Sequence, residues 1–301
     1  MLDLNRMGRI KLSAKPRLQR VVGVLGLTPN YKLPPRVKID FEGYESVPDE
    51  PVIFAMNHTD RFNYWPFQYS IWRKSDRYTA TWVKGKYYES NFVGKFMEWT
   101  NNIPTVSRGY LITRDMLLVL KRTPTNEEYA WLRQEVDAGV GLAEANTSSV
   151  PPALAPLLNT PRSMLGHPFD PATASYGEAV NTLFRAMMGR FVALNAEAFD
   201  LGLDMLVFPQ GTRSIRLSKG HIGLAQIALK YGKTIVPVGC NGSDKCYPRS
   251  SPFAKGGHIT YRFGAPITPE EMEPFATNAS FEPFTAAAET AHRDAFQGLV
   301  D

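Results

Sequence analysis

Phe208-Pro209-Gln210-Gly211-Thr212-Arg213-Ser214 follows the apolar run Met205-Leu206-Val207 and turns at Pro-Gln-Gly into polar, cationic sequence. A short apolar run closed by a turn signal predicts a buried strand with its end at position 208. A second run, Val52-Ile53-Phe54-Ala55-Met56, leads into Asn57-His58-Thr59-Asp60-Arg61-Phe62-Asn63. This places a histidine where a strand ends. Two buried strands that each end in polar residues are what an open α/β sheet offers at its carboxyl edge, where such sheets place their sites. A histidine and a cationic turn at one edge suit a reaction that deprotonates a hydroxyl on a phosphate-bearing molecule.

Outward from these two segments the pattern alternates. Residues 37–41, 79–83, 103–106, 235–239 and 258–263 read as strands, and helices are expected after Asn63, over 88–100, 176–199 and 219–231. The 176–199 helix carries apolar residues at Val180, Leu183, Phe184, Met187, Met188, Phe191 and Leu194, and Gly202 closes it. Its methionines read as core. Further helices are expected over 269–276 and 284–299. The fold class expected is α/β, a central mixed sheet flanked by helices.

Two segments depart from this alternation. Residues 1–20 hold six basic residues, Arg6, Arg9, Lys11, Lys15, Arg17 and Arg20, against Asp3, with apolar residues between them. They read as basic, amphipathic helical material, followed by a proline-containing linker to residue 35. The segment is either an interfacial helix on anionic lipid or an ordinary surface helix with a solvated basic face. The charges within the first twenty residues are unlike a signal peptide, and no run reaches the length of a spanning helix. Between about 110 and 175 lies a stretch in which no strand is read: helices over 113–121 and 126–144, then a segment with Pro151, Pro152, Pro156, Pro161, Pro168 and Pro171. Prolines at this density predict an irregular loop, either a lid or binding loop or a tolerated surface insertion. The organisation expected is an N-terminal segment over 1–35 and one domain over 36–301.

A chain of 301 residues, 44% hydrophobic, is long enough to bury a sizeable core. Two cysteines, Cys240 and Cys246, are too few for a disulfide framework, and no cysteine–histidine cluster has metal-ligand spacing. No metal or bound cofactor is expected, and a Gly-x-Gly-x-x-Gly dinucleotide turn is missing. The net charge of +5 comes with no nucleic-acid motif, so nucleic acid is not expected as a partner.

The chain resembles the glycerol-3-phosphate and 1-acylglycerol-3-phosphate O-acyltransferase superfamily. Four blocks carry the resemblance in order: Asn57-His58 with the residue five places on; Lys84, Phe92-Val93-Gly94 and residues 102–108, ending in Ser107-Arg108; residues 208–214 followed by Lys219-Gly220; and Ile235-Val236-Pro237-Val238. They lie within residues 50–265. The resemblance implies a membrane-associated acyltransferase on the cytoplasmic face, moving a fatty acyl chain from acyl-CoA or acyl carrier protein to a hydroxyl of glycerol phosphate or a lysophospholipid. It implies His58 as general base, residue 63 as its orienting partner, and Asn57, Arg108, Gln210, Gly211, Thr212, Arg213 and Lys219 at the substrate, with Arg108 and Arg213 on the acceptor phosphate.

Two residues depart from the family pattern. Asn63 stands where the family has aspartate, and Gln210 where it has glutamate. Each amide keeps the shape of the carboxylate and loses the charge. This keeps two rivals open: a catalytically weak or silent relative that binds acyl donor or lipid, and an acyltransferase with a non-phosphate acceptor. The remaining histidines, His167, His221, His258 and His292, fall in no block.

Overall fold

A computed structural model describes residues 1–144, 146–214, 216–218, 220–248 and 251–275. The helix expected over 284–299 and the Lys219 site fall outside the described residues.

Among the described residues nine strands form: β1 (Val37–Glu42), β2 (Ile53–Met56), β3 (Thr79–Lys84), β4 (Asn102–Thr105), β5 (Arg162–Met164), β6 (His167–Phe169), β7 (Asp204–Val207), β8 (Ile235–Asn241) and β9 (Gly257–Phe263). Seven make one sheet in the order β1-β9-β8-β2-β7-β3-β4, and β5 and β6 make a separate antiparallel pair. β2 runs parallel to β7 and β8, β7 parallel to β3, and β1 parallel to β9, while β8 and β9 are antiparallel. The fold is α/β with a mixed sheet flanked by helices, as the alternation of apolar runs and helical periods predicts.

The chain separates into two compact units. Unit 2 comprises residues Leu12–Trp82, Trp99–Asn102 and Asn195–Asp301. Every residue of β2 and β7 is buried, which is why β2 reads as an unbroken apolar run and β7 reads as one from Met205 onward. Phe54 of β2 meets Phe67, from the helix Tyr64–Ser75, edge to face at 5.2 Å, and Phe41, Tyr261 and Phe263 extend the aromatic cluster. Each such pair adds about 0.5–1.5 kcal/mol beyond the area it buries.

The register of β2 on β7 is fixed at the amino end of β7. Asp204 accepts from the Val52 backbone N–H at 3.0 Å and from Arg77 Nε at 2.8 Å and Nη2 at 2.5 Å. Burial pushes the Asp204 carboxyl up, and the Arg77 guanidinium opposes that shift. A carboxylate this deep needs its full complement of partners. Because the side-chain period of a strand is two, this lock also decides where the carboxyl ends of β2 and β7 fall.

Unit 1 comprises Met1–Lys11, Val83–Glu98 and Ile103–Leu194. It contains the helices Asn91–Trp99 in most of its length, Arg108–Leu120 and Asn126–Ala138, and most of Tyr176–Asp200. Val180, Leu183, Met187, Phe191 and Leu194 are buried along the last of these, so Met187 is core while Met188 is half-buried. The helix expected over 126–144 stops at Ala138 because Gly139 and Gly141 follow, the latter at φ 71°.

The expected irregular loop is not one. Pro152 and Pro156 sit in the first turns of a 3-10 helix (Pro152–Leu154) and an α-helix (Ala155–Asn159), where proline's missing N–H costs nothing. Leu165 and Gly166 form a two-residue turn, φ 49° and 87°, that folds β5 onto β6. Leu154, Leu157, Met164, Leu165 and Phe169 are buried, and Arg162 forks onto Asp115 at 3.1 and 2.5 Å. Prolines exclude a long helix here; the apolar residues between them still supply a core.

The first eleven residues belong to that core as well. Leu2, Met7 and Ile10 are buried, and the Leu4 N–H donates to the Leu165 carbonyl at 2.9 Å. Arg6 donates to Glu98 at 2.8 Å and to the Tyr88 carbonyl at 2.5 Å. A Cβ on Gly94 would overlap the Arg6 guanidinium, which gives the glycine of the second block a steric reason.

Candidate functional site

The turn after β2 is built around a histidine held from several sides. His58 Nδ1 lies 3.0 Å from Asn63 Oδ1. Asn63 Nδ2 donates to the Asn57 carbonyl at 2.8 Å. A carbonyl only accepts, so the amide nitrogen must face Asn57 and the amide oxygen must face the histidine. His58 Nδ1 therefore carries the hydrogen of the neutral ring, and Nε2 carries the lone pair. The His58 ring stacks on Phe208, centroids 4.1 Å apart and planes 25° from parallel.

Asn63 is fully buried and sits at the N-cap position of the helix Tyr64–Ser75, yet its side chain caps no helical N–H. The amide that would ordinarily close the helix is turned back to orient His58. Its backbone is held as well, since Tyr261 on β9 donates its hydroxyl to the Asn63 carbonyl at 2.5 Å. Both ends of the Asn57 side chain are engaged with Cys240 on β8: Nδ2 donates to its carbonyl at 3.0 Å, and Oδ1 accepts its N–H at 2.7 Å. Asn57 thus continues the β2–β8 ladder with a side chain past the end of the strand.

Asp60 lies within the same turn and is buried. Its carboxylate accepts from the Phe62 N–H at 2.7 Å and the Thr59 hydroxyl at 3.1 Å. Burial raises its pKa, and hydrogen bonding from the Ser243 hydroxyl, the Phe62 N–H and the Thr59 hydroxyl opposes the rise. The bond to His58 Nδ1 comes from Asn63 and not from Asp60.

The turn after β7 is joined to the first one. The Ser214 N–H donates to the His58 carbonyl at 2.9 Å. Gly211 has φ 63°, and a Cβ there would come within 3.0 Å of the His221 ring, so both backbone and space require glycine. Gln210 is buried. Its Nε2 donates to the Arg216 carbonyl at 3.1 Å and to Ser218 Oγ at 3.2 Å, which ties Gln210 to residues 216 and 218. Its Oε1 is buried and has no hydrogen-bond partner among the described residues. Thr212 and Arg213 are exposed, and among the described residues Arg213 makes no ion pair. Arg108 belongs to unit 1, where it opens the helix Arg108–Leu120. Its Nε donates to Asn181 Oδ1 at 2.6 Å, and its guanidinium lies 4.4 Å from the centroid of the Phe184 ring.

The structure thus brings His58, Asn63, Asn57 and residues 208–214 together in unit 2. Sequence reasoning missed Phe208 as the platform of the histidine ring, Tyr261 as the anchor of Asn63, and the Cys240 backbone as the partner of Asn57. Tyr261 had a signal: Ile259, Tyr261 and Phe263 alternate inward on β9, and a buried phenol needs a partner. For Cys240 the sequence holds no signal, because its part is played by backbone.

Among the described residues no group of histidine, cysteine and acidic side chains is arranged to hold a metal ion, and no helix is long and apolar enough to cross a membrane.

No family model matches the chain, and no curated protein matches it. Among solved structures, the chain is similar to the 1-acyl-sn-glycerophosphate (LPA) acyltransferase PlsC of Thermotoga maritima, with a TM-score of 0.46 and 13% sequence identity over 99% of this chain and 78% of that one. A likeness of this extent assigns no role to any residue.

Proposed function

We propose that the chain is an acyltransferase that moves a fatty acyl chain from acyl-CoA or acyl carrier protein to a hydroxyl of a glycerophosphate-type lipid, such as lysophosphatidic acid. The observation that carries this reading is the His58 turn. A histidine at the carboxyl end of a buried strand is fixed in one tautomer by Asn63 and tied through its own carbonyl to the Gly211-Thr212-Arg213 turn.

The chemistry follows from that tautomer. His58 Nε2 takes the proton of the acceptor hydroxyl as its oxygen attacks the thioester carbonyl carbon. The tetrahedral intermediate collapses with loss of the thiolate, which takes the proton back from the imidazolium. No acyl-enzyme is needed. Arg213, exposed and without an ion pair among the described residues, is suited to the acceptor phosphate, and Arg108 is assigned to phosphate as well. Asn63 orients the imidazole without stabilising its cation, so the site works with a neutral orienter.

The test is transfer of radiolabelled acyl chains by the purified protein from acyl-CoA and from acyl carrier protein to a panel of lysolipids and glycerol 3-phosphate. Transfer that His58→Ala leaves at the parent rate would sink the assignment of the base. A second reading, a silent relative that binds acyl donor or lipid, draws on the same amides at 63 and 210. Acyl-CoA binding without turnover on any acceptor would establish it.

The chain is also assigned to an anionic membrane surface, by way of residues 17–33. Leu2, Met7 and Ile10 are buried in unit 1, whereas Val21, Val24, Leu25 and Leu33 are exposed beside Arg17, Arg20 and Lys32. Apolar residues flanked by cations suit an interfacial segment. Replacing Val24 and Leu25 with aspartate is expected to abolish sedimentation with phosphatidylglycerol vesicles. Binding that survives both replacements and 1 M salt, about a 3 Å Debye length, would place the contact elsewhere.

A further inference from the structure

His221 falls in no motif block, yet the structure sets it against the third one. Its N–H donates to the Pro209 carbonyl at 2.8 Å, and a Cβ on Gly220 would stand 3.2 Å from the Pro209 Cβ. Residues 220 and 221 are thereby held onto the turn after β7. The open side of a glycine is commonly where a ligand approaches the backbone. At Gly211 the His221 ring takes that space, with Cδ2 at 3.0 Å and Nε2 at 3.1 Å from the Cβ position. Two imidazoles therefore bracket one turn, His58 stacked on Phe208 and His221 set on Gly211. The Gly211 N–H closes that turn on the Phe208 carbonyl at 2.9 Å.

The two rings differ in what they have left to offer. His58 is held by Asn63 at Nδ1 and by Phe208 at its face. The His221 ring is exposed and makes no hydrogen bond or ion pair among the described residues. With its Cδ2–Nε2 edge on Gly211, Nδ1 lies on the far side of the ring. Pro209 and Gly211, on which His221 rests, carry no charge. The charges of the segment are all positive, at Arg213, Arg216 and Lys219, and no aspartate or glutamate occurs from Met205 through Ser243. An imidazole gains its proton between about pH 8 and 5 and then donates from both nitrogens. Here it does so with no carboxylate of its own segment to offset the charge.

We propose that His221 is a further binding residue of the strand-end site, donating to an anionic headgroup at the 211–213 turn, and that its protonation strengthens this grip as pH falls. The charge of Arg213 does not vary with pH, so it contributes a constant part of the affinity. His221 contributes a variable part. The identity of the headgroup rests on the acyltransferase reading, whereas the role of His221 rests on its place over Gly211.

The experiment is calorimetric titration of the full chain with glycerol 3-phosphate, and with glycerol as the uncharged control, at constant ionic strength from about pH 8 to about pH 5.5. The proteins are the parent, His221→Gln, His221→Lys and, as a control, His258→Gln, which alters an exposed histidine paired with Asp40 at 2.7 Å. The ratio of variant to parent dissociation constants cancels the titration of the ligand and of His58. For His221→Gln this ratio is expected to lie near unity at the alkaline end and to reach about tenfold at the acid end, the value of one charge-assisted hydrogen bond. His221→Lys carries its charge throughout and is expected to bind about tenfold more tightly than the parent at the alkaline end. His258→Gln is expected to follow the parent. His221 is exposed, so its variants are expected to fold, which circular dichroism checks. A folded His221→Gln whose ratio does not change with pH overturns the proposal. So does the same trend in His258→Gln, equal binding of glycerol, or a parent that does not bind glycerol 3-phosphate. The expected ratios in a protein that transfers no acyl chain would sink the acyltransferase reading and leave His221 as an anion-binding residue. Acyl transfer with a pH-independent ratio would do the reverse.

Discussion

The turns that follow β2 and β7 each carry an amide where the resembled family carries a carboxylate, and the two amides are used differently. Asn63 works at both ends, its nitrogen on the Asn57 carbonyl and its oxygen on His58 Nδ1. Gln210 works at one end, its nitrogen on the Arg216 carbonyl and Ser218 while its buried oxygen has no partner among the described residues. A carboxylate at 63 would set negative charge against a carbonyl oxygen at the distance of a hydrogen bond. One at 210 would meet the Arg216 carbonyl in the same way, but would forfeit nothing at its other oxygen. Counting charge from sequence alone makes both positions deficits. The geometry makes Asn63 a donor that the turn needs, and Gln210 a donor with one unsatisfied end.

The largest effect expected is on turnover. His58→Ala should lower acyl transfer by about 10²–10⁴, the range of a positioned general base. Thermal unfolding close to that of the parent would show that the loss is chemical.

Asn63→Asp comes next and tests the fully used amide directly. It removes the donor to Asn57 and buries a charge, so a loss of about 2–4 kcal/mol in urea unfolding is expected. The charge would also raise the His58 pKa, which proton NMR titration of the ring reads. Unchanged stability with higher turnover would mean that the missing charge, not the donated hydrogen bond, limits this site.

Gln210→Glu should cost less, about 1–2 kcal/mol, because only one end of the amide is engaged. If it proved costlier than Asn63→Asp under the same denaturant, the contrast between the two turns would be reversed.

Arg213→Ala should leave stability within about 0.5 kcal/mol of the parent, as for an exposed residue outside any network. It should raise KM for a phosphate-bearing acceptor about tenfold, with a smaller change for the acyl donor. Equal changes for both substrates would remove Arg213 from the phosphate.

The smallest effect is a slope. Asp60, the carboxylate within the first turn, has a folded pKa raised by burial. The folded state therefore holds the proton more tightly than the unfolded chain. The stability this contributes is fully present below the unfolded value and is lost as pH rises through the folded one. Asp60→Asn should flatten that fall while keeping the oxygen that accepts from Phe62. Parallel pH curves for parent and variant would show that the turn does not raise the carboxyl.

The two turns also mark what a linear reading reaches. Both strand ends, the glycine at 211 and the histidine at 58 are legible because each is a local matter: an apolar run, a turn residue at positive φ, a titratable group next to it in the chain. So is the helix Tyr176–Asp200, whose apolar residues repeat at the helical period. The proline-rich stretch was misread for the complementary reason. Proline density reports what the backbone avoids, and the burial of Leu154, Leu157 and Phe169 that orders the segment is not local.

The sequence by itself determined the strand-and-helix alternation, the α/β class and the positions of the two polar strand ends, since periodicity and turn chemistry act over a few residues. Only the tertiary structure decided what those polar groups do. Asn57 finds Cys240 across 183 positions, Arg77 finds Asp204 across 127, and Arg108 finds Asn181 across 73. An amide at position 63 reads as a lost charge until its nitrogen is seen facing a carbonyl. Hydrogen-bond direction is a property of where two atoms stand in space, and composition and spacing along the chain do not encode it.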